Sequence, residues 1–300
     1  MGPDFSLLRG AAAPSAPPVA RPAPAPLLGA HATNDYRHTR PLLDALEQGF
    51  VSMSADVWLV NGALYLGRDW PDMGRRLDTT YLEPLAELVE RPGAVYPGWG
   101  GSLCLLLDVR SHPRATWLAI EELLEGYGLL TTLVHDGEVR QGPVTVVLTG
   151  ARCPQEMARA TRRRCFVDGT AEDLGRLPAP TLMPLVSESW AAHVPWMGEG
   201  ELPEGARARL AGLVERTHAA GARLRFYGTW DWAGEQRDRV WSALREADVD
   251  LISTNDLTGL ADFMQTRREA AGNAVVTAPV AGDTVGSAGA SRLQVDKSTA

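Results

Sequence analysis

The sequence is poor in cysteine and has no long apolar run. Only three of its 300 residues are cysteines, Cys104, Cys153 and Cys165. They are widely separated and odd in number, and none forms the CxxC spacing of a zinc or redox site, so we expect reduced, structural thiols. No stretch of 18 or more apolar residues occurs, so no transmembrane helix is expected.

Positive charge is also scarce. Lys and Arg number 29 against 37 Asp and Glu, which gives a formal net charge of −8. No Lys/Arg-rich run is present that could follow a phosphate backbone, and the three arginines at 162–164 are too few to do so. This balance predicts that nucleic acid is not a partner.

The two ends of the chain differ in composition from the rest. Residues 1–25 are rich in Ala and Pro and lack any period of two or 3.6, which is typical of a disordered lead. Their prolines interrupt the apolar run that a secretory signal needs, so a cytoplasmic location is expected. Residues 269–300 are small and polar and predict a second disordered segment. One folded domain is therefore expected over residues 26–268.

The folded region alternates short apolar runs with amphipathic stretches of helical period. Eight apolar runs occur, at 26–31, 51–59, 103–110, 144–150, 165–170, 182–189, 223–229 and 250–256. Eight strands separated mostly by helices favour a (β/α)8 TIM barrel over a doubly wound sheet. Near-continuous runs such as LCLLL (103–107) are typical of strands that are covered on both faces.

Polar or small residues stand where these predicted strands end. They are His31, Asp56, Asp108, Thr149, Asp168, Ser187, Ser189, Thr229, Asp231 and 254–256. Barrel enzymes build their sites from the carboxyl ends of the strands. A strand end is also where polar loops begin, which explains any single one of these residues, but the set predicts a functional site.

Several motifs resemble one enzyme superfamily. HATNDY (31–36), SADVWL (54–59), LLLDVR (105–110), FVDGTAEDL (166–174) and VDLISTNDLTGL (249–260) are similar in order and spacing to the glycerophosphodiester phosphodiesterase and phosphatidylinositol-specific phospholipase C superfamily. Within it, they resemble the bacterial and fungal subgroup that opens with His-x-x-Asn-Asp-Tyr. The resemblance covers roughly residues 28–265 and implies a TIM barrel that hydrolyses phosphoric diesters.

The resemblance also implies roles for particular residues. In the superfamily two histidines act as acid and base across the phosphodiester, while a Glu-x-Asp pair and a third carboxylate hold Ca²⁺ or Mg²⁺. Carried over, His31 is the first histidine, Asp56 is the aspartate of the pair and Asp108 is the third carboxylate. Ser54 stands where the glutamate is expected, and Arg68 stands near the expected second histidine.

These two replacements make the predicted site about two charge units more positive. Ca²⁺ or Mg²⁺ should therefore bind less well, because such ions are held by carboxylate oxygens. Arg68 would instead suit the oxygens of a phosphate. Bacterial phosphatidylinositol-specific phospholipases C, as a class, likewise use an arginine near the position of the ion.

The second proton-transfer group is left open by this assignment. His38 and His112 lie closest to the predicted site in sequence. Asn34 is predicted to orient His31 or to cap a turn, Arg110 to bind phosphate or to pair with Asp56 or Asp108, and Trp230 to form an apolar wall for the substrate or to pack.

Two functions from different classes remain at this point. The first is a phosphoric diester hydrolase with His31 as general acid or base and Arg68 on the phosphate, acting on a small phosphodiester or a lipid headgroup. The second is a catalytically silent or repurposed barrel that binds a phosphorylated ligand or a partner. Oligomeric state is not predicted by the sequence.

Overall fold

The structure, a computed structural model, describes residues 24–90, 93–128, 130–178 and 181–266. Most of the predicted lead and all of the predicted tail lie outside these ranges. The strands are β1 (Leu27–Ala32), β2 (Phe50–Val60), β3 (Ala63–Leu66), β4 (Asp72–Arg76), β5 (Leu103–Val109), β6 (Leu133–His135), β7 (Glu138–Arg140), β8 (Val144–Gly150), β9 (Arg162–Arg163), β10 (Cys165–Gly169), β11 (Leu185–Ser189), β12 (Arg223–Tyr227) and β13 (Ile252–Thr254).

Helices connect most of the strands of the large sheet. They are α1 (Leu43–Glu47), α2 (Glu83–Val89), α3 (Pro113–Glu125), α4 (Pro154–Arg159), α5 (Trp190–His193), α6 (Glu204–Ala219) and α7 (Glu235–Glu246), with a 3-10 turn at Asp35–Arg37 and a π-helical turn at Asp78–Leu82. Residues 257–266 form a last helix. None of the helices in the described part of the chain has the length and hydropathy needed to cross a bilayer.

Each of the eight predicted apolar runs contains one strand of a large parallel sheet. Their order is β12-β11-β10-β8-β5-β2-β1-β13. From β1 to β12, each strand of this sheet pairs with the next one along the chain, and β13 pairs with β1. Beyond this path, Arg225 and Leu251 form a single parallel bridge, and the Leu251 N–H donates to the Leu224 carbonyl at 3.1 Å. The structure is therefore a mixed α/β domain built on one large central sheet.

Both faces of the central strands are buried, as the apolar run in β5 predicts. Leu103, Leu105 and Leu107 belong to the main core between sheet and helices, and Cys104 and Leu106 belong to a smaller cluster on the other face. Side chains alternate between the two faces of a strand, so one continuous run can fill both. The three cysteines are free thiols, as expected.

A hairpin extends the large sheet at β2. Asn61 and Gly62 have φ of 50° and 81°, the left-handed conformations that a tight hairpin turn requires. β3 then runs back along β2 in antiparallel pairing, from Val60 opposite Ala63 to Val57 opposite Leu66. The Asn61-Gly62 pair predicts this turn from the sequence alone, and the structure has it. The hairpin returns the chain to the level of Asp56.

A second, three-stranded sheet of β6, β7 and β9 was not predicted. Its β6–β7 turn is Asp136-Gly137, again with positive φ at both residues. The Asp-Gly pair was a usable signal, because this dipeptide favours two-residue hairpin turns. The flanking strands are only three residues long, too short for a visible alternation of apolar and polar residues.

Candidate active site

A cavity of about 540 Å³ opens at the carboxyl ends of the parallel strands. We call it the carboxyl-end cavity. Its charged lining consists of four arginines and three aspartates: Arg68, Arg110, Arg152, Arg225, Asp56, Asp108 and Asp168. The formal excess of one positive charge suits an anionic ligand. Ser54 and Asn34 also line it, so five of the predicted site residues meet here: Asn34, Asp56, Arg68, Asp108 and Arg110.

The register of the sheet brings Asp56 and Asp108 together. They are direct partners on the neighbouring strands β2 and β5, and the next partner along is Thr149 on β8. Arg110 lies across both carboxylates: its Nη2 is 2.9 Å from Asp56 Oδ1 and 2.8 Å from Asp108 Oδ2. Of the two alternatives for Arg110, pairing with the aspartates is what the structure shows.

Asp56 has both carboxylate oxygens engaged. Oδ1 accepts from Arg110, and Oδ2 accepts from the Tyr36 hydroxyl at 2.8 Å. Asp108 differs, because its Oδ1 has no hydrogen-bond partner among the described residues. Burial raises the pKa of Asp108 to about 6, against the opposing effect of Arg110.

Glycine at position 150 leaves room for Asp108. Gly150 has φ of +69°, and a Cβ built on it would lie 2.1 Å from Asp108 Oδ1. A side chain there would collide with the carboxyl group and would also strain the backbone. The strand-end glycine of β8 therefore helps to define the wall of the cavity.

The hairpin places Arg68 at the edge of the cavity. The Gly67 N–H donates to the Asp56 carbonyl at 3.1 Å, which fixes the returning chain beside β2. Arg68 Nη1 then donates to Asn34 Oδ1 at 3.4 Å. Its guanidinium is otherwise exposed. The positive charge of Arg68 opposes the rise in the pKa of Asp108 that burial causes. Arg68 is thus placed where it can contact an anion in the cavity.

Asn34 forms part of the same edge. Its backbone has φ of 51°, and its N–H donates to Ser54 Oγ at 3.2 Å. Its side-chain amide lies 3.4 Å from Asn255 Oδ1. Asn34 therefore positions Arg68 through the hydrogen bond that its Oδ1 accepts. None of its hydrogen bonds to Ser54, Asn255 and Arg68 links it to His31.

His31 lies beneath the cavity and does not line it. The imidazole is fully buried, with Nδ1 2.7 Å from Ser52 Oγ and Nε2 without a partner among the described residues. Burial lowers the pKa of His31 well below its ordinary value, and the nearby Arg225 and Arg223 lower it further. The ring is therefore neutral near pH 7, when it can accept a proton but not donate one.

The remaining predicted candidates lie away from the cavity lining. Trp230 is half-buried and packs against the main core. His38 lines a different surface pocket, and His112 accepts the Ala115 N–H at the start of α3. No histidine in the described ranges lines the carboxyl-end cavity.

Sequence reasoning missed three lining residues that carry charge. Arg225 and Asp168 are almost fully buried, and Arg152 follows β8. Arg225 donates to Ser253 Oγ at 3.0 Å and to Ser187 Oγ at 3.2 Å. Asp168 was noted only as a strand-end residue. Arg225 gave a signal too, because an arginine inside an apolar strand run must find polar partners when it is buried.

The lining does not fit a divalent cation. Only two carboxylates stand at the predicted metal position, both already paired with Arg110, and Ser54 Oγ accepts from the Asn34 backbone. Within the residues that the structure describes, no group of three or more His, Cys, Asp or Glu side chains is arranged to hold a metal ion. A guanidinium between the two carboxylates supplies the positive charge that a cation would supply.

Comparison with known proteins assigns this region to a domain type. Residues 24–168 match the family model of the AIM6-like phosphodiesterase domain. The AIM6-like segment runs from β1 to Asp168 in β10 and contains all five predicted residues that meet in the cavity. The match covers 145 of the 300 residues, and this part of the chain is similar to a domain described as phosphodiesterase-like.

Fungal relatives of AIM6 extend the similarity over most of the chain. "Altered inheritance of mitochondria protein 6" of Eremothecium gossypii is 27% identical over 272 residues, covering 78% of this chain and 68% of the relative. The homolog from Arthroderma benhamiae is 25% identical over 258 residues, covering 76% and 81%. The protein of Kluyveromyces lactis is 24% identical, covering 78% and 71%.

Proposed function

We propose that this chain is a phosphoric diester hydrolase of the glycerophosphodiester phosphodiesterase and phospholipase C type. One observation carries the proposal: the AIM6-like segment contributes a cavity in which Arg68 and Arg110 stand beside two partnered strand-end carboxylates. Guanidinium groups bind phosphate oxygens in a directed fashion and offset the charge that repels an attacking nucleophile. The substrate class is a small phosphodiester or a lipid headgroup.

We also propose that the large sheet closes into a (β/α)8 barrel. The bridge between Arg225 and Leu251, together with β13 pairing to β1, supports closure between the last strands. A closed barrel would bring Arg225 on β12 and Asp56 on β2 to the same cavity, and both do line it.

In this proposal Arg68 binds the phosphate and His31 accepts a proton. The single hydrogen bond from Arg68 to Asn34 leaves its other donors available to a ligand. The resemblance gives His31 this role, and its Nε2 has no hydrogen-bond partner among the described residues. The neutral ring favours general-base over general-acid action.

The first test is hydrolysis by the purified chain. We expect turnover of glycerophosphocholine and of bis(p-nitrophenyl) phosphate. Arg68→Ala should raise KM by about 10- to 150-fold, since a hydrogen bond to a charged group contributes about 1.5–3 kcal/mol. Arg76→Ala is the matched control, because Arg76 ends β4, the strand that follows Arg68, and pairs with Asp78 outside the cavity lining. His31→Ala should abolish turnover; unchanged turnover would remove His31 from the mechanism.

The second test is metal removal. Because Arg110 occupies the space between Asp56 and Asp108, we expect EDTA to leave the initial rate unchanged within a factor of two. The comparison is made on one enzyme preparation, with and without chelator, and with Ca²⁺ or Mg²⁺ added back. Loss of activity that either ion restores would contradict the arrangement described here.

A silent phosphate-binding domain is the second candidate function. The absence of histidine from the lining within the described residues favours it. It predicts no turnover of either diester, together with a rise in melting temperature in the presence of inorganic phosphate or glycerol phosphate, because a ligand that binds only the folded state stabilises it.

A further inference from the structure

Asp168 lines the carboxyl-end cavity, and one of its carboxylate oxygens has no hydrogen-bond partner among the described residues. It is the fourth residue of β10 and is 2% exposed. The oxygen in question is Oδ1. A buried polar atom without a partner loses free energy unless a ligand or solvent atom satisfies it. This oxygen is therefore available to form a hydrogen bond with a ligand bound in the cavity.

Four neighbouring groups favour the charged form of Asp168. They are the hydroxyls of Thr149 on β8 and Ser187 on β11 and the guanidinium groups of Arg225 on β12 and Arg152 after β8. Burial raises the pKa of Asp168 to about 6, and these four groups oppose that shift. A substantial protonated fraction is thus present just below neutral pH, which a general acid needs.

The other acidic groups of the cavity are less suited to donate a proton. Asp56 uses both oxygens to accept hydrogen bonds from Arg110 and Tyr36. The pKa of Asp108 is also raised to about 6, but Arg110 holds its Oδ2 in an ion pair at 2.8 Å. His31 is neutral and lies behind the lining. Among the described residues, no arginine forms an ion pair with Asp168 as Arg110 does with Asp56 and Asp108. Arg225 acts on Asp168 only through its nearby charge.

We propose that Asp168 is the general acid of the site and donates a proton to the leaving oxygen of the bound phosphodiester. The step rests on the proposed function and uses water as the co-reactant. A bond forms from the water oxygen to phosphorus as the bond from phosphorus to the leaving oxygen breaks. The proton of Asp168 passes to that oxygen, which departs as an alcohol. The attacking water releases one proton, which His31 accepts under the proposed function and later passes to solvent. Asp168 regains one proton from solvent, so the net change is addition of one water.

Two substrates with different leaving groups test this role. The alkoxide leaving group of glycerophosphocholine is strongly basic and needs protonation, whereas p-nitrophenolate is weakly basic and departs without it. Asp168→Asn keeps the shape of the side chain but cannot donate an acidic proton. We expect kcat to fall by about 10²- to 10⁴-fold for glycerophosphocholine. For bis(p-nitrophenyl) phosphate we expect a fall of less than about tenfold, since general-acid assistance is not needed there.

Asp35→Asn is the matched control. Asp35 is also buried, also has an Oδ1 without a partner in the described part of the chain, and also has its pKa raised by burial. It lies outside the cavity lining and accepts from the Leu42 N–H and the Tyr81 hydroxyl. We expect this variant to keep the ratio of activities on the two substrates.

The outcomes separate this inference from the proposed function. Equal losses on both substrates, or no loss on glycerophosphocholine, would overturn the general-acid role while the hydrolase stands. Absence of turnover by the unaltered protein on both substrates would overturn both. If Asp168→Asn does not fold, the pH profile of the unaltered protein decides: kcat for glycerophosphocholine must decline above about pH 6, in line with the pKa of Asp168, and a flat profile rejects the role.

Discussion

Asp56→Ala should lower the free energy of unfolding by about 1–3 kcal/mol, the typical cost of leaving a buried hydrogen-bond donor without its acceptor. Asp56 is 4% exposed and accepts three hydrogen bonds, two from Arg110 and one from the Tyr36 hydroxyl. The substitution leaves the Tyr36 hydroxyl without its acceptor, and Arg110 keeps only Asp108, at 2.8 Å. Urea unfolding at pH 7.5 measures the change.

A double-mutant cycle shows whether the pair itself is responsible. Arg110→Met removes the guanidinium, so Asp56→Ala in that background no longer breaks an ion pair with Arg110. We expect the double variant to lose less stability than the sum of the two single variants, by at least about 1 kcal/mol. Strict additivity would mean that Arg110 and Asp56 do not interact in solution.

An exposed ion pair provides the control for this cycle. Glu156 lies 2.7 Å from Arg114, with both side chains largely exposed at 44% and 60%. Glu156→Ala should cost less than about 1 kcal/mol, because water screens such a pair. The contrast between the two losses measures the effect of burial on otherwise similar partners.

His31→Asn should change the pH dependence of stability more than stability at pH 7.5. Burial first, and then Arg225 and Arg223, lower the pKa of His31 in the folded state well below its ordinary 6.5. The unfolded chain therefore binds a proton near pH 6.5 that the folded chain does not bind. The stability that the neutral ring contributes is present above pH 6.5 and is lost as the pH falls, by about 1.4 kcal/mol per unit.

The asparagine variant lacks this titration and retains a group that can hydrogen-bond Ser52. Between pH 7.5 and pH 5.0 the unaltered protein should lose about 2 kcal/mol relative to the variant. Asp108 and Asp168 titrate in both proteins, so their contributions cancel in the difference. Urea unfolding at pH 7.5, 6.0 and 5.0 gives the result, and a constant difference across the three would show that His31 titrates normally.

The order of strands and helices could be predicted from the sequence because it depends on local patterns. The apolar run at 103–107 needs two covered faces, and Asn61-Gly62 needs a tight turn; both expectations match the structure. The convergence of Asp56 and Asp108 also followed from strand ends, since carboxyl ends of parallel strands share one edge. These features require only residues close in sequence and a general rule of sheet geometry.

The depth of each side chain could not be predicted in this way. His31 and Asp168 both stand at strand ends in the sequence, yet His31 lies beneath the cavity and Asp168 lines it. The difference depends on the register between neighbouring strands, which sets how far each residue stands from the open end. Trp230 likewise lies in a loop whose course the sequence did not give, and it packs against the core.

The sequence by itself determined the eight strands of the large sheet and their order along the chain, because these depend on residue type and spacing. The resemblance placed Ser54 where a glutamate is expected. The tertiary structure alone decided which charges meet. Arg110 directly follows β5, Arg68 follows the β2–β3 hairpin and Arg225 lies on β12. Each side chain lies beside an aspartate or an amide of another element. Such contacts join positions more than 30 residues apart, and only the folded sheet fixes the distances that decide whether two charges pair.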